Sequence, residues 1–222
     1  MTLDEMKTLL AGRLGQRTDI DQMIYNEIRE AQRTLEKTPP YPWFLAYAQR
    51  IEYDKGITPL VPDFIETFDD WLLLRKRTDE TVYWATPVKV YGGQMEHIID
   101  PRPGRPRNFH IYGDNIVLYP NPDVSYTFEL YYYRKIDPLV SPSSENLWSI
   151  QANDLLISEA GWHVARNIRD NEAATLFGQD RAEARRRVAQ ETTSRLESRR
   201  RAVIGSGEDA MLNQMTWEAG HQ

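Results

Sequence analysis

The chain of 222 residues has no cysteine, which excludes a disulfide framework and any thiolate chemistry. Its four histidines, His97, His110, His163 and His221, stand alone, and none has the His-x-x-x-His or acidic spacing of a metal site. Gly92-Gly93 is not followed by the lysine and hydroxyl that complete a phosphate loop. Ser141, Ser143 and Ser144 sit in a Pro/Ser connector, not in a nucleophile elbow. Asp69-Asp70 and Asp79-Glu80 are adjacent carboxylates, which on a strand point to opposite faces and share no acid–base site. No apolar run approaches the roughly 20 residues of a membrane span, and the acidic N-terminus MTLDEMK is unlike a signal peptide. Positive charge is also short: 27 Lys and Arg against 33 Asp and Glu leave a net charge of −6, against a non-specific nucleic-acid or membrane-surface binder. The chain therefore reads as soluble and not as an enzyme, with no catalytic residue, metal or cofactor expected.

What is present suffices for a core, with 41% hydrophobic and 27% charged residues. The most structured stretch runs from Arg107 to Arg134 and predicts a β-meander. Phe109 and Ile111 alternate with His110 and Tyr112, Gly113-Asp114-Asn115 supplies a tight turn, and Ile116 to Tyr119 returns. Pro120-Asn121-Pro122-Asp123 must be a turn or an edge. Tyr126, Phe128, Leu130 and Tyr132 then line one face of a third strand, and Thr127, Glu129, Tyr131 and Tyr133 the other. Two apolar or aromatic faces predict cover on both sides, by a core and by a helix or neighbouring subunit.

The ends of the chain predict helices. Leu3, Met6, Leu9 and Leu10 recur at helical spacing, with Gly12 and Gly15 at the stop. Thr18 is expected to cap a second helix whose stripe is Ile20, Ile24, Ile28, Ala31 and Leu35, ended by Pro39-Pro40. Near the other end, Leu155, Leu156, Ala160, Val164 and Ile168 form one stripe. Asp170 is the expected cap of a long last helix carrying Ala174, Phe177, Arg181, Ala184, Val188 and Leu196, with Gly205-Ser206-Gly207 as its end. Between these, Tyr41 to Leu45 reads as an aromatic anchor and Gln49 to Tyr53 as a strand. A short helical turn is expected at Leu60 to Phe64, with Pro62 at its first position. Trp71 to Arg75 is a strand or a helix end; Val82–Trp84 and Val88–Tyr91 are short elements; Pro101 to Pro106 is extended loop. The expected fold is α+β: a helical bundle from 1–40 and 150–203, a central antiparallel β-rich insert at 41–149, and a C-terminal extension at 204–222 that orders on binding.

Two groups of residues bear on binding. Arg181, Arg185, Arg186, Arg187, Arg195, Arg199, Arg200 and Arg201 crowd the last helix, opposed by Asp180, Glu183, Glu191 and Glu197. They make either a solvated face with i, i+4 pairs or a basic surface for a protein partner or DNA. Tyr131 and Tyr133 suit either a core or an interface.

Several stretches in this order resemble the head-to-tail connector (adaptor) proteins of tailed bacteriophages. They are the N-terminal helix pair, Pro42-Trp43-Phe44-Leu45, Leu60-x-Pro62-Asp63-Phe64, Gly104-x-Pro106, and the hairpin from Ile111-x-Gly113 to Ile116-x-Leu118. Pro120-x-Pro122-Asp123, Tyr132-Tyr133 leading to Leu139, and Asp170-x-Glu172-x-Ala174 within the C-terminal helix pair complete the set. The resemblance covers most of residues 15–195. It implies a homo-oligomeric ring, usually twelvefold, in the virion neck under the portal protein, contacting tail or neck proteins and passing genomic double-stranded DNA without sequence-specific binding. It places no membrane and no cofactor in the role. By the same resemblance the chain's end would dock on the portal through Arg199, Arg200, Arg201, Met211, Leu212, Met215 and Trp217. Tyr131, Tyr133, Arg185 and Arg186 are the candidates for a subunit or tail interface. The competing readings are a tail or baseplate accessory, a DNA-binding regulator using the arginine-rich helix, and a wall hydrolase, which would need a carboxylate pair in a cleft.

Overall fold

The computed structural model describes residues 1–17, 19–53, 58–67, 72–76, 78, 81–87 and 102–218. The fold is α+β, and the chain divides into two units: Met1–Phe44 with Asp137–Gln222, and Leu45–Ile136.

The first unit is helical. Its elements are α1 (Leu3–Arg13), α2 (Asp21–Glu36), a short α3 (Leu147–Gln151), α4 (Asn153–Asn167) and α5 (Asn171–Glu218). Thr2 and Glu5 form a reciprocal capping box at the start of α1. That helix ends where Gly15 turns left-handed (φ 78°) and the Gln16 N–H donates back to the Ala11 carbonyl at 2.8 Å. The stripe of α2 is buried as its spacing predicts, at Ile24, Ile28, Ala31 and Leu35. Its start departs from expectation. The cap residue is Ile20, which makes no side-chain bond, and Thr18 lies outside the described residues. Asp19 instead pairs with Arg17 at 2.6 Å.

Helix α4 is the centre of this unit. Residues Leu155 to Gly161 are buried on every side of the helix, and α1, α2, α3 and α5 all pack on it. The joint to α5 is made by Arg169, left-handed at φ 60°, with the Asp170 N–H on the Ala165 carbonyl at 2.9 Å. The Asp170 carboxylate accepts the Ala173 N–H at 2.9 Å, the cap the sequence predicts. Helix α5 does not stop at Gly205-Ser206-Gly207 but runs to Glu218. Each glycine costs about 1 kcal/mol relative to alanine yet keeps its N–H and carbonyl in the ladder, and no proline follows Pro142.

The second unit is a sheet of β1 (Ala46–Tyr53), β2 (Thr58–Pro59), β3 (Phe64–Thr67), β4 (Leu72–Lys76), β5 (Val82–Pro87), β6 (Asn108–Tyr112), β7 (Asn115–Tyr119) and β8 (Tyr126–Arg134). The order is β1-β8-β4-β5-β6-β7-β2, with β3 beside the end of β8, and every pairing is antiparallel except β5 with β6. Of the predicted meander, the three strands form, and β6 and β7 make the expected hairpin, with Gly113 left-handed at its turn (φ 57°). But β8 does not return beside β7: it lies between β1 and β4, so the stretch is a hairpin and a separate central strand and not a meander. Tyr126, Phe128, Leu130 and Tyr132 are buried with Leu74, Ala85, Phe109, Ile116 and Leu118. The alternate face of β8 is half-buried. One further expectation is revised, and one open alternative is resolved. Pro62 does not open a helix; Val61 to Phe64 is a β-turn closed by the Phe64 N–H on the Val61 carbonyl at 3.1 Å, and Phe64 begins β3. Leu72 to Lys76, ambiguous by pattern, is strand β4. Val88–Tyr91 lies outside the described residues, as do Asp69-Asp70, Asp79-Glu80, His97 and His221.

Candidate functional site

Both chain crossings out of the helical unit, at Phe44 and at Asp137, are bonded to one set of side chains. Along α2 the apolar stripe contains two polar residues, Gln32 and Glu36, both buried. The Glu36 carboxylate accepts the Trp148 indole N–H and the Gln32 amide, each at 3.0 Å. The Asn146 amide donates to Gln32 at 2.9 Å and to the Asp137 carbonyl at 2.8 Å. Trp148, fully buried, meets Phe44 edge-on at 5.0 Å, and Phe44 meets Trp43 in the same way at 5.9 Å. The Trp43 N–H donates to the Thr192 hydroxyl at 3.1 Å, and the Arg195 guanidinium lies 3.8 Å from the centre of the Trp43 ring. Trp43 and Phe44 are thus the anchor the sequence suggests, and Thr192 and Arg195 of α5 are what they anchor to.

The arginines of α5 divide by role. Glu159, on buried α4, accepts from Arg185 at 2.9 Å and from Arg181 at 3.3 Å, with the His163 imidazole 3.7 Å away. Arg181 and Arg166 both lie over the Trp162 ring, at 4.2 and 4.6 Å. Arg187 pairs with Asp154 and with Glu183, the latter an i, i+4 pair that the sequence reading anticipated. Arg195 pairs with Glu191. Arg185 therefore works inside the fold. Arg186 is exposed, and no ion pair to it is formed among the described residues. Arg199, Arg200, Arg201, Met211, Leu212, Met215 and Trp217 lie along the described backbone of α5; their side chains fall outside the described residues.

In the sheet unit, Tyr131 and Tyr133 share the half-buried face with Glu129 and Thr127. The Tyr131 hydroxyl donates to Glu129 at 3.1 Å, and Arg50 on β1 reaches the same carboxylate at 2.9 Å. On the opposite face Tyr132 donates to Asp63 at 3.0 Å, and burial together with that bond pushes its phenol well above the ordinary range.

A groove of about 280 Å³ lies in the helical unit between α1, α4 and α5, floored by Leu9, Ile157 and Ala184 and rimmed by paired charges, Arg13 with Asp180 and Arg187 with Asp154 and Glu183. No cluster of three or more histidine or carboxylate side chains among the described residues has the spacing of a metal site. No helix among them is long and apolar enough to cross a membrane. Gln32, Glu36, Glu159 and Thr192 were missed by sequence reasoning. The available signal was a polar residue at a stripe position, as at Gln32 between Ile28 and Leu35.

A family model described as SU10 adaptor protein matches residues 1–204. No curated protein matches the chain.

Proposed function

The chain belongs to the SU10 adaptor protein family, a phage head-tail adaptor family, and on that premise we propose how this structural virion protein is built into the neck. Copies close into a ring, twelvefold as in the resemblance drawn above, beneath the portal protein. The ring joins capsid to tail and extends the channel through which the genome passes. The helical units pack side by side. In the sheet unit Tyr131 and Tyr133, and in the helical unit Arg186, face the next subunit or the tail, and Arg185 is held within the bundle by Glu159.

The observation that carries this reading is the length of α5. Its described bonds to the rest of the bundle run from Arg13 on Asp180 to Arg195 on Trp43, while the helix runs on to Glu218. At 1.5 Å per residue, the part beyond Arg195 adds roughly 35 Å of helix. That part carries Arg199, Arg200, Arg201, Met211, Leu212, Met215 and Trp217, a basic and apolar set suited to a groove on another protein. The net charge of −6 suits a conduit: an acidic wall repeated around a ring repels phosphate and lets the duplex slide.

The test is a mass measurement of the protein alone and with portal, followed by charge reversal of Arg199, Arg200 and Arg201. The expected result is a ring on the portal, and loss of that association in the variant with weak DNA affinity unchanged. An intact association with DNA affinity lost would assign the arginines to DNA. Co-purification with tail tube but not portal would make the protein a tail accessory.

A further inference from the structure

The two edges of the sheet are not alike. One ends in β2, which is two residues long and contains Pro59. A short edge with a proline cannot template another strand. The other edge is β1, with eight residues, no proline and an unbroken register from Ala46–Tyr133 to Tyr53–Tyr126. No described strand pairs with its outer side. Tyr47, Ala48, Gln49, Arg50 and Glu52 are all exposed, Tyr47 at 43%.

Natural edges are commonly protected by charge, and β1 carries Arg50 and Glu52. These two have opposite sign and stand two residues apart on one face. A second β1 laid parallel in register would set Arg50 against Arg50 and Glu52 against Glu52. Laid antiparallel about Ile51, it sets each Arg50 against the partner copy's Glu52 and Ile51 against itself. The sheet face is preserved by a two-fold axis normal to it, so the side chains stay on matching sides. Arg50 already meets Glu129 of β8 at 2.9 Å. The pairing would therefore extend a row of alternating charge across the seam, Glu129, Arg50 and the second copy's Glu52. Antiparallel registers displaced by two residues centre on Arg50 or Glu52 and oppose that residue to its own copy, like charge to like, which is destabilising. A displacement by one residue leaves Arg50 and Glu52 without opposite charges across the seam.

We propose that the free protein pairs with a second copy of itself through the β1 edge, residues 49–53 of each copy running antiparallel about Ile51. A two-fold contact of this kind is isologous and cannot be repeated around a closed cyclic ring. The pair therefore belongs to the protein before it enters the virion, and its edges separate on assembly. The inference does not depend on portal docking, and its test contains no portal.

The experiment is sedimentation of the full chain over a range of concentrations, with two charge variants. Wild type should shift from 25.9 kDa towards about twice that mass as concentration rises through the micromolar range. Glu52→Arg alone should weaken the pairing at least tenfold, because it sets arginine against arginine. Arg50→Glu alone should do the same. Mixed in equal amounts, the two variants should pair again, since each supplies the charge that the other needs. Thermal melts of each variant establish folding, and should Arg50→Glu not fold, Glu52→Arg against wild type decides alone. A wild type that stays at the monomer mass at every concentration overturns the proposal, as does an oligomer indifferent to Glu52→Arg.

Discussion

Gly161 of α4 lies directly against the ring of Phe177 on α5, so close that a Cβ built at Gly161 would stand 2.5 Å from two of the ring carbons. Phe177 is 1% exposed, and the Arg13 guanidinium lies over its ring at 4.3 Å, so the ring has nowhere to withdraw. This contact sets the separation of the two helices at the first turns of α5. Gly161→Ala is expected to destabilise the helical unit by about 1–3 kcal/mol, the cost of overpacking a filled core, although alanine is the better helix former. Urea unfolding should show a lower midpoint at unchanged slope. Combining the change with Phe177→Leu should recover part of the loss, because the two residues share one space.

Glu159 supplies the second fixed point of the α4–α5 pair. The carboxylate is 3% exposed and is held by Arg181 and Arg185, which are 28% and 39% exposed. Replacing it with glutamine removes a charge between two guanidinium groups and leaves them facing each other. Breaking a fully buried pair costs about 3–5 kcal/mol; partial exposure of both arginines lowers the expected loss to about 2–3 kcal/mol. Equilibrium denaturation of Glu159→Gln measures it, and a change below about 0.5 kcal/mol would show that the cluster contributes nothing net.

The contrast between these residues and Asp170 shows what a sequence can disclose. Asp170 announces itself: it follows one apolar stripe, precedes another, and is an acid at a break in helical periodicity, so both its place and its bond to Ala173 were legible. Glu159 was not, because it sits inside the run Leu155 to Gly161, where every neighbour is buried and the run reads simply as core. Its partners lie 22 and 26 residues on, across a joint whose geometry no spacing fixes. Pro62 failed for another reason. Proline suits both the first turn of a helix and the second position of a β-turn, and pairing of Phe64 with β8 decided between them. In the sheet unit, alternation identified β6, β7 and β8, whereas the partners that make β8 central came only from long-range pairing with β1, β3 and β4.

Alkaline pH should find the sheet unit through Tyr132. Its ring is fully buried and its hydroxyl donates to Asp63, with the Gln49 side-chain amide 3.2 Å away, so the phenol holds its proton above the ordinary range. In the unfolded chain the same phenol ionises near pH 10. The folded state then binds more protons than the unfolded state above that pH, so stability falls as pH rises. The contribution is complete below about pH 10 and is lost progressively as pH climbs from there towards the raised folded value. Tyr132→Phe should lower stability at pH 8 by about 1–2 kcal/mol through the lost bond to a charged acceptor. The variant should lose stability less steeply than wild type between pH 10 and pH 11. Parallel slopes for the two proteins in that interval would show that Tyr132 does not govern the alkaline limb.

Shortening the chain after Arg195 separates the two parts of α5. Asp170 caps the helix, Phe177 and Ala184 fill the core against α4, Arg181 and Arg185 hold Glu159, and Thr192 and Arg195 hold Trp43. Every described bond from α5 to the bundle is then retained, and none has to form anew. Removal of a helical end that makes no described bond to the bundle costs little, because such ends fray with a free energy near zero. The shortened protein is therefore expected to melt within a few degrees of the full chain, with the Trp43 contact to Arg195 preserved. The portal docking proposed for this part of α5 should then be lost, since Arg199, Arg200, Arg201 and the apolar residues from Met211 to Trp217 are gone. Differential scanning calorimetry reads the first outcome and co-sedimentation with portal the second. A large fall in melting temperature would make the last part of α5 an integral strut of the bundle, and portal association surviving the truncation would move the docking surface to the helices before Arg195.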